Sequence, residues 1–199
     1  MGGGRGTRLE LRNAVLRVWG EMKMYQIKNH LLYKDGQRVS CKLSPNHGKV
    51  IKPEIIVLHY TGSNSLQGAL NWLCTPASQV SAHVVIAKTG QVWQLVPFNL
   101  RAWHAGKSAY DGRPDVNSFS IGIENVGLGD EWPEAQIEAN RQVIAALYDA
   151  YDIQDTVGHS DICVPAGRKA DPGPKFPWEK IFLDYREELR LSEDQGVRV

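Results

Sequence analysis

The chain has 199 residues, of which 42% are hydrophobic and 23% charged, and its formal net charge at pH 7 is +1. This length and composition predict one globular domain with a sizeable core, and the low net charge gives no basic field of the kind that attracts nucleic acid. No continuous apolar run reaches the roughly 18 residues that a membrane-spanning helix needs, so we expect no integral membrane association. We also expect a monomer.

The two ends of the chain differ in composition from the part between them. Residues 1–23 are rich in glycine and arginine, which predicts an appendage that is either a short surface helix or a non-native extension. They contain no continuous apolar stretch and no small-residue cleavage site, so we expect no secretory signal and a protein that is cytoplasmic where it is made. Residues 24–191 are predicted to form the domain, and 192–199 a tail.

Several short strands are predicted along the domain. YQIKNHLLYKDGQRVSCKL alternates apolar and polar residues around Lys34-Asp35-Gly36, which predicts a hairpin. EIIVLHYT (54–61) and SFSIGIENV (118–126) are apolar runs typical of buried strands, and AHVVIAKTGQVWQLVPF predicts two strands around a Thr-Gly turn.

Helical spacing of apolar residues predicts helices at 65–74, 133–151 and 176–190. Because these helices are interspersed with strands that are partly linked by hairpins, we expect an α/β fold (mixed α+β). It would be a single domain with a central mixed β-sheet flanked by helices.

Two distant histidines are candidates for a metal site. His59 lies near the end of the first buried strand and His159 follows the short strand predicted at DTVG. A hydrolytic zinc site takes three protein ligands and leaves a fourth position for water, and Asp171 or Cys163 would complete such a set. The spacing alone is a weak signal, because no local metal-binding motif is present. The alternative is a pair of hydrogen-bonded core histidines.

Two charged residues are candidates for proton transfer and charge stabilisation. Glu124 is a carboxylate on an otherwise apolar strand, so it must be paired, bound to a metal or kept for proton transfer. It is either a general base or a strand-end group that binds a backbone amide or an arginine, Arg101 or Arg113. Lys169 is either solvated or stabilises a developing oxyanion beside a metal.

Four blocks carry a family resemblance: IIVLHYT, SAHVVIAKTGQVWQLVPFNLRAWHAGKSAYDGR, NSFSIGIENVG, and GHSDI followed by GRKADPGPKFPW. From about residue 22 to 178 the chain resembles the zinc-dependent N-acetylmuramoyl-L-alanine amidases of the amidase-2 type. These include muropeptide-recycling amidases, T7-type phage lysozyme and the animal peptidoglycan recognition proteins. The resemblance implies that 24–191 is a catalytic domain with a zinc site in a cleft at the sheet edge. It also implies hydrolysis of the amide between N-acetylmuramic acid and L-alanine in peptidoglycan or muropeptides.

The resemblance also implies residue roles. The zinc ligands would be His59, His159 and Asp171. Glu124 would be the catalytic acid/base, and Lys169 would stabilise the tetrahedral intermediate. Cys163 stays an alternative third ligand, because the T7-type branch uses cysteine, although the DPGP context favours the aspartate.

Other residues receive weaker assignments. Candidate substrate contacts are Tyr60, Trp103, Arg113 and Asn125, of which the tryptophan offers an aromatic face to a sugar. His83 and His104 belong to the family pattern without being ligands there, so we expect them to make structural hydrogen bonds.

The sequence leaves more than one interpretation of the biological role. All five expected catalytic positions are filled, which favours an enzyme over a non-catalytic peptidoglycan-binding module, and the family includes both. The lead-in NHLLY…SPNHGKVIKP favours slightly a wall-active amidase, such as an endolysin released through a holin, over a recycling enzyme for soluble muropeptides.

Overall fold

A computed structural model describes residues 24–182 of the chain, and the statements below concern these residues. The predicted appendage at 1–23, the tail at 192–199 and the greater part of the last predicted helix lie outside them. No helix in the described part of the chain is both long enough and apolar enough to cross a membrane.

The strands are short. In chain order they are β1 (Tyr25–Lys28), β2 (Leu31–Lys34), β3 (Gln37–Arg38), β4 (Ser40–Cys41), β5 (His47–Val50), β6 (Ile55–Tyr60), β7 (Val84–Ile86), β8 (Val92–Gln94), β9 (Leu100–Ala102), β10 (Ala109–Tyr110), β11 (Arg113–Pro114), β12 (Ser120–Asn125) and β13 (Asp155–Gly158). The helices are α1 (Leu66–Leu73), α2 (Glu134–Ala150) and α3 (His159–Ile162), and a further helix occupies 178–182. Short 3₁₀ turns span Pro76–Ser78 and Val116–Ser118.

The central sheet has six strands in the order β13-β6-β12-β7-β8-β4. The first four run parallel, β7 and β8 are antiparallel, and β4 lies parallel to β8 at the edge. The sheet is therefore mixed and flanked by helices, which confirms the predicted fold class.

Side-chain alternation divides the two central strands between two faces. On one face Ile56, Leu58, Ile121 and Ile123 pack in the same apolar core as α2. Successive side chains of a strand point to opposite faces. The alternate residues of β6 and β12 therefore lie on the face away from α2: Ile55, Val57 and His59 on β6, and Ser120, Gly122 and Glu124 on β12.

The predicted hairpin is present and is extended by a second one. The turn between β2 and β3 is Asp35-Gly36, and both residues have positive φ, as a two-residue hairpin turn requires. Asn29 and His30 also have positive φ and join β1 to β2 in a turn that the sequence pattern did not predict. Asparagine and histidine are both enriched in this backbone region relative to other non-glycine residues.

The first two predicted helices begin and end close to their expected positions. Ser65 caps α1 by accepting a hydrogen bond from the backbone amide of Gly68. Pro133 immediately precedes α2, whose inward residues pack on the sheet as expected: Ile137, Val143, Ile144, Leu147 and Tyr148.

Candidate metal centre and catalytic site

Three neighbouring parallel strands bring the candidate residues to one edge of the sheet. Glu124 on β12 is the direct register partner of His59 on β6. On the other side of β6, Gly158 pairs with Leu58, so that His159 follows at the level of His59. The carboxyl ends of parallel strands are the usual location of sites in open α/β sheets. Distant parts of the sequence therefore meet here.

His59, His159 and Asp171 form a compact buried group. The Nδ1 atoms of the two histidines are 3.1 Å apart. Asp171 Oδ2 lies 2.9 Å from Nδ1 of His59 and 3.0 Å from Nδ1 of His159. The three residues are 1%, 3% and 8% exposed in chain order. Two nitrogen atoms and one carboxylate oxygen that converge in this way are suitable ligands for a zinc ion.

The outer nitrogen of His159 supports this arrangement. Its Nε2 lies 3.0 Å from the carbonyl oxygen of Ala105. A carbonyl can only accept a hydrogen bond, so Nε2 carries the hydrogen of the neutral ring and Nδ1 presents a lone pair to the group. Histidine ligands of metals are held in the same way by an acceptor behind the ring. The donor set therefore fits a zinc ion.

The ligand loop is attached to the sheet by its backbone. The Ser160 amide donates to the Asp171 carbonyl oxygen over 2.9 Å, which joins the start of α3 to the end of the loop. A Cβ atom on Gly158 would lie 2.7 Å from Cδ of Pro172, so only glycine permits this close approach. The GH and DP pairs of the sequence are thus adjacent in space.

Burial and mutual contact displace the pKa values within the group. In the metal-free protein burial lowers the pKa of His59, although the close contact with the Asp171 carboxylate opposes this effect. Burial by itself raises the pKa of Asp171, but the contacts with Nδ1 of His159 and of His59, which a bound cation would replace, outweigh it and leave that pKa well below its usual range. An ionised carboxylate and a neutral His59 are the forms that bind a cation.

The pKa of Glu124 is shifted in the opposite direction to that of Asp171. Burial, followed by the charge of Asp171, raises the pKa of Glu124 to about 8, although the charge of Lys169 lowers it. Its Oε2 is buried without a hydrogen-bond partner among residues 24–182. The two arginines considered as partners bind other carboxylates, Arg101 that of Asp115 and Arg113 that of Glu54. The arginine-paired reading of Glu124 is therefore wrong.

Comparison with known proteins agrees with this geometry. Residues 49–174 match the family model described as N-acetylmuramoyl-L-alanine amidase. The match covers more than half of the chain. The chain belongs to the N-acetylmuramoyl-L-alanine amidase family.

Individual relatives of this amidase-family chain are known. It is 47% identical over 106 residues to the 1,6-anhydro-N-acetylmuramyl-L-alanine amidase AmpD of Escherichia coli K12, a match that covers 52% of this chain and 57% of AmpD. It is 33% identical over 147 residues to the N-acetylmuramoyl-L-alanine amidase AmiD of the same organism, covering 64% of this chain and 51% of AmiD. The chain thus spans little more than half the length of these curated relatives.

Solved structures extend the likeness to the fold. A selenomethionine derivative of AmpD superimposes with a TM-score of 0.67 and 32% identity, covering 73% of this chain and 93% of that one. AmpDh3 of Pseudomonas aeruginosa, in complex with an anhydromuramic pentapeptide, gives a TM-score of 0.60 and 31% identity, covering 79% and 72%.

The alternative third ligand lies outside the group. The Sγ atom of Cys163 is buried and points to backbone carbonyl oxygens, at 3.5 Å from that of Ser160 and 3.9 Å from that of Lys169. The converging ligand atoms come from the two histidines and Asp171.

Replacement of Cys163 by serine is expected to leave zinc binding unchanged. The hydroxyl has the same backbone acceptors available, and the three converging atoms are untouched. Titration of the apoprotein with zinc against a chromophoric chelator measures the dissociation constant. A folded Cys163→Ser protein that failed to hold zinc would make cysteine the third ligand.

Two of the four predicted substrate contacts are placed elsewhere. Asn125 is fully buried, its Nδ2 donating to the His59 carbonyl oxygen and its Oδ1 accepting from Asn140. Arg113 pairs with Glu54, which precedes β6, and its guanidinium lies 4.0 Å from the Phe119 ring centroid. About 16 Å of strand separates Glu54 from His59, so Arg113 lies at the other end of the sheet. The structure therefore does not bring either side chain to the ligand group.

Of the other two predicted contacts, Tyr60 lies beside the ligand loop and Trp103 beside β5. Tyr60 is half-buried, and its ring lies close to Gly129 and Gly173, the second of which belongs to the ligand loop. Trp103 is half-buried with its indole nitrogen beside Gly48. Their contact with substrate stays a prediction.

The sequence did not predict that His104, Ser120 and Asn117 lie next to the ligand group. His104 was expected only to make structural hydrogen bonds, but its Nδ1 lies 3.0 Å from Nε2 of His59. Ser120 and Asn117 contact His104 in turn. The pattern Ser-Ile-Gly-Ile-Glu in β12 was an available signal, since its first, third and fifth residues share the face that carries the site.

The raised pKa of Glu124 predicts a pH-dependent stability of the metal-free protein. A folded-state pKa above the unfolded value stabilises the fold at low pH, and this contribution is lost as the pH rises from about 4.5 to about 8. Glutamine resembles the protonated side chain. Glu124→Gln should therefore match the parent apoprotein at pH 4.5 and exceed it at pH 9 by up to about 5 kcal/mol of unfolding free energy, at about 1.4 kcal/mol per pKa unit.

Urea unfolding of both apoproteins at the two pH values measures this difference. The comparison cancels the titration of the histidines, which both proteins share. Equal stabilities at pH 9 would show that Glu124 ionises in the fold without a penalty.

Proposed function

We propose that the protein is a zinc-dependent amidase that hydrolyses the amide between N-acetylmuramic acid and L-alanine. The observation that carries this proposal is the buried convergence of His59, His159 and Asp171, with the Glu124 carboxyl on the adjacent strand. A non-catalytic binding module would need neither a set of metal ligands nor a carboxyl with a displaced pKa.

The residues divide the chemistry between them. A zinc ion at the three ligand atoms would supply a Lewis acid and lower the pKa of water from about 15.7 toward 7. Burial raises the pKa of Glu124 to about 8 in the metal-free protein, and the charge of a bound zinc ion would lower it again. Glu124 is then suited both to take a proton from the attacking water and to give one back to the departing alanine nitrogen.

Lys169 would stabilise the negative charge that develops on the carbonyl oxygen of the substrate. Its side chain is exposed, and its charge acts on both Glu124 and His59, so it lies on the open side of the group. A fixed positive charge at this place favours the transition state over the neutral amide.

Soluble 1,6-anhydro-muropeptides are the substrates we propose first. The relative that is 47% identical is named for the anhydro form of the sugar, and the AmpDh3 structure holds an anhydromuramic pentapeptide. Action on the intact wall, after holin-type release of a lysin, is the second candidate. The sequence before β6, NHLLY…SPNHGKVIKP, favours this second candidate. In both cases we propose a monomer made in the cytoplasm.

The test measures new L-alanine amino termini. The protein is incubated with a soluble anhydro-muropeptide and with intact sacculi, each with and without a zinc chelator. Release from the soluble fragment that the chelator abolishes is the expected result. Heat-inactivated protein serves as the control for spontaneous hydrolysis.

Each other outcome points to a different function. Chelator-sensitive release from sacculi would make the protein a wall-degrading amidase. Zinc binding without release from either substrate would refute the amidase and leave a peptidoglycan-binding module.

A further inference from the structure

We propose that His104 is a positioning residue that fixes the tautomer of His59, so that His59 presents its Nδ1 lone pair to zinc. The inference rests on the zinc site of the proposed function. It concerns side chains behind the ligands, on the face of the sheet away from α2.

Three hydrogen bonds connect His59 to a backbone carbonyl. His59 Nε2 lies 3.0 Å from His104 Nδ1, and His104 Nε2 lies 3.1 Å from Oγ of Ser120. The Ser120 hydroxyl lies 2.7 Å from the carbonyl oxygen of Val116. This sequence of contacts is called the His104 relay below.

The Val116 carbonyl at the end of the His104 relay determines which atom donates in each of the three hydrogen bonds. Because the Val116 carbonyl can only accept, Ser120 donates its single hydrogen there. The Ser120 oxygen then accepts from His104 Nε2, which leaves His104 Nδ1 without a hydrogen in the neutral ring. That nitrogen accepts from Nε2 of His59, so a neutral His59 is left with its lone pair on Nδ1, the atom that would face a cation bound between it and Asp171.

The backbone beside His104 holds the second histidine ligand. The Ala105 carbonyl oxygen accepts from Nε2 of His159 over 3.0 Å. The oxygen of the Asn117 side chain accepts from the backbone amides of both His104 and Ala105, over 3.0 Å and 2.8 Å. One buried asparagine therefore anchors the two-residue segment that orients both histidine ligands.

The fold reserves space for the His104 ring. A Cβ atom on Gly122 would lie 2.4 Å from Cγ of His104, so the ring occupies the position of the absent side chain. On its other side the His83 ring lies at a centroid distance of 5.9 Å. His83 donates to the Leu100 carbonyl and accepts from the Gly122 amide, and it has no part in the relay. It is therefore a suitable control.

Two variants of His104 separate its role as a hydrogen-bond acceptor from its role in packing. Asparagine and leucine have the same branched shape, but only asparagine offers an oxygen near the position of Nδ1. His104→Leu is expected to weaken zinc binding by about 10–100-fold, the usual effect of removing a group behind a metal ligand. His104→Asn is expected to retain most of the affinity. Chelator competition with the apoproteins at pH 7.5 gives the dissociation constants, and His83→Leu and His83→Asn should not differ.

A spectroscopic measurement tests the tautomer without any variant. In the zinc-loaded parent protein, long-range ¹⁵N–¹H correlation should show the hydrogen of His104 on Nε2 and none on Nδ1. Ser120→Ala removes the far acceptor and should also weaken zinc binding, by less than His104→Leu does.

These outcomes decide between the proposals. A hydrogen on Nδ1 of His104, or equal zinc affinities for His104→Leu and His104→Asn, would overturn the His104 relay. So would a difference of the same size in the His83 pair, or parent-like affinity in Ser120→Ala. Failure of the parent protein itself to bind zinc would instead refute the proposed function.

Discussion

Replacing Glu124 by glutamine is expected to lower turnover by about 10²–10⁴-fold, the usual contribution of a positioned general acid or base. The expected zinc content and fold are those of the parent protein. Glutamine has the shape of the protonated carboxyl but neither takes nor returns a proton. The Oε2 atom of Glu124 makes no hydrogen bond that the amide would break. Release of L-alanine amino termini from the anhydro-muropeptide measures the effect.

Zinc content by elemental analysis and thermal unfolding of the loaded protein are the controls. A Glu124→Gln protein with unchanged zinc and near-parent turnover would remove the residue from proton transfer. Loss of zinc together with turnover would make Glu124 part of the metal site instead.

Replacing Asp171 by asparagine is expected to weaken zinc binding by about 10²–10⁴-fold and to abolish turnover at limiting zinc. Three ligands share a binding free energy of about 10–16 kcal/mol, so one ligand accounts for about 3–5 kcal/mol. The amide carries no negative charge to offset the cation. It would also face two imidazole nitrogens at about the distances of the carboxylate, 2.9 and 3.0 Å.

Asp161→Asn is the matched control in the same segment. Asp161 is exposed and accepts a hydrogen bond from the Gly158 amide over 2.8 Å, which asparagine can also accept. Its zinc affinity should equal that of the parent. Parent-like zinc affinity in Asp171→Asn would exclude the aspartate as a ligand.

The strands and helices that position the site were largely predictable from local pattern. The apolar runs of β6 and β12 and the helical spacing of α2 depend only on neighbours in the sequence, so their type and approximate bounds followed directly. The Asn29-His30 turn was missed because it lacks the glycine that marks the Asp35-Gly36 turn, although asparagine and histidine both tolerate positive φ.

The outlying site residues could not be assigned from the sequence in the same way. Arg113 and Asn125 were expected near the substrate, but nothing local to them reports which end or which face of the sheet they occupy. Glu54 and Asn140, their partners in the structure, lie 59 and 15 residues away.

The sequence by itself determined the family and the mixed sheet, and it predicted the candidate zinc ligands and Glu124, because their motifs are local. Only the tertiary structure decided that His59 and His159, 100 residues apart, bring their Nδ1 atoms within 3.1 Å of each other. It also placed Asp171 rather than Cys163 beside them and His104 behind His59. These contacts join strand ends to loops that are distant in the sequence, and their geometry is set by packing of the whole sheet and not by any one segment.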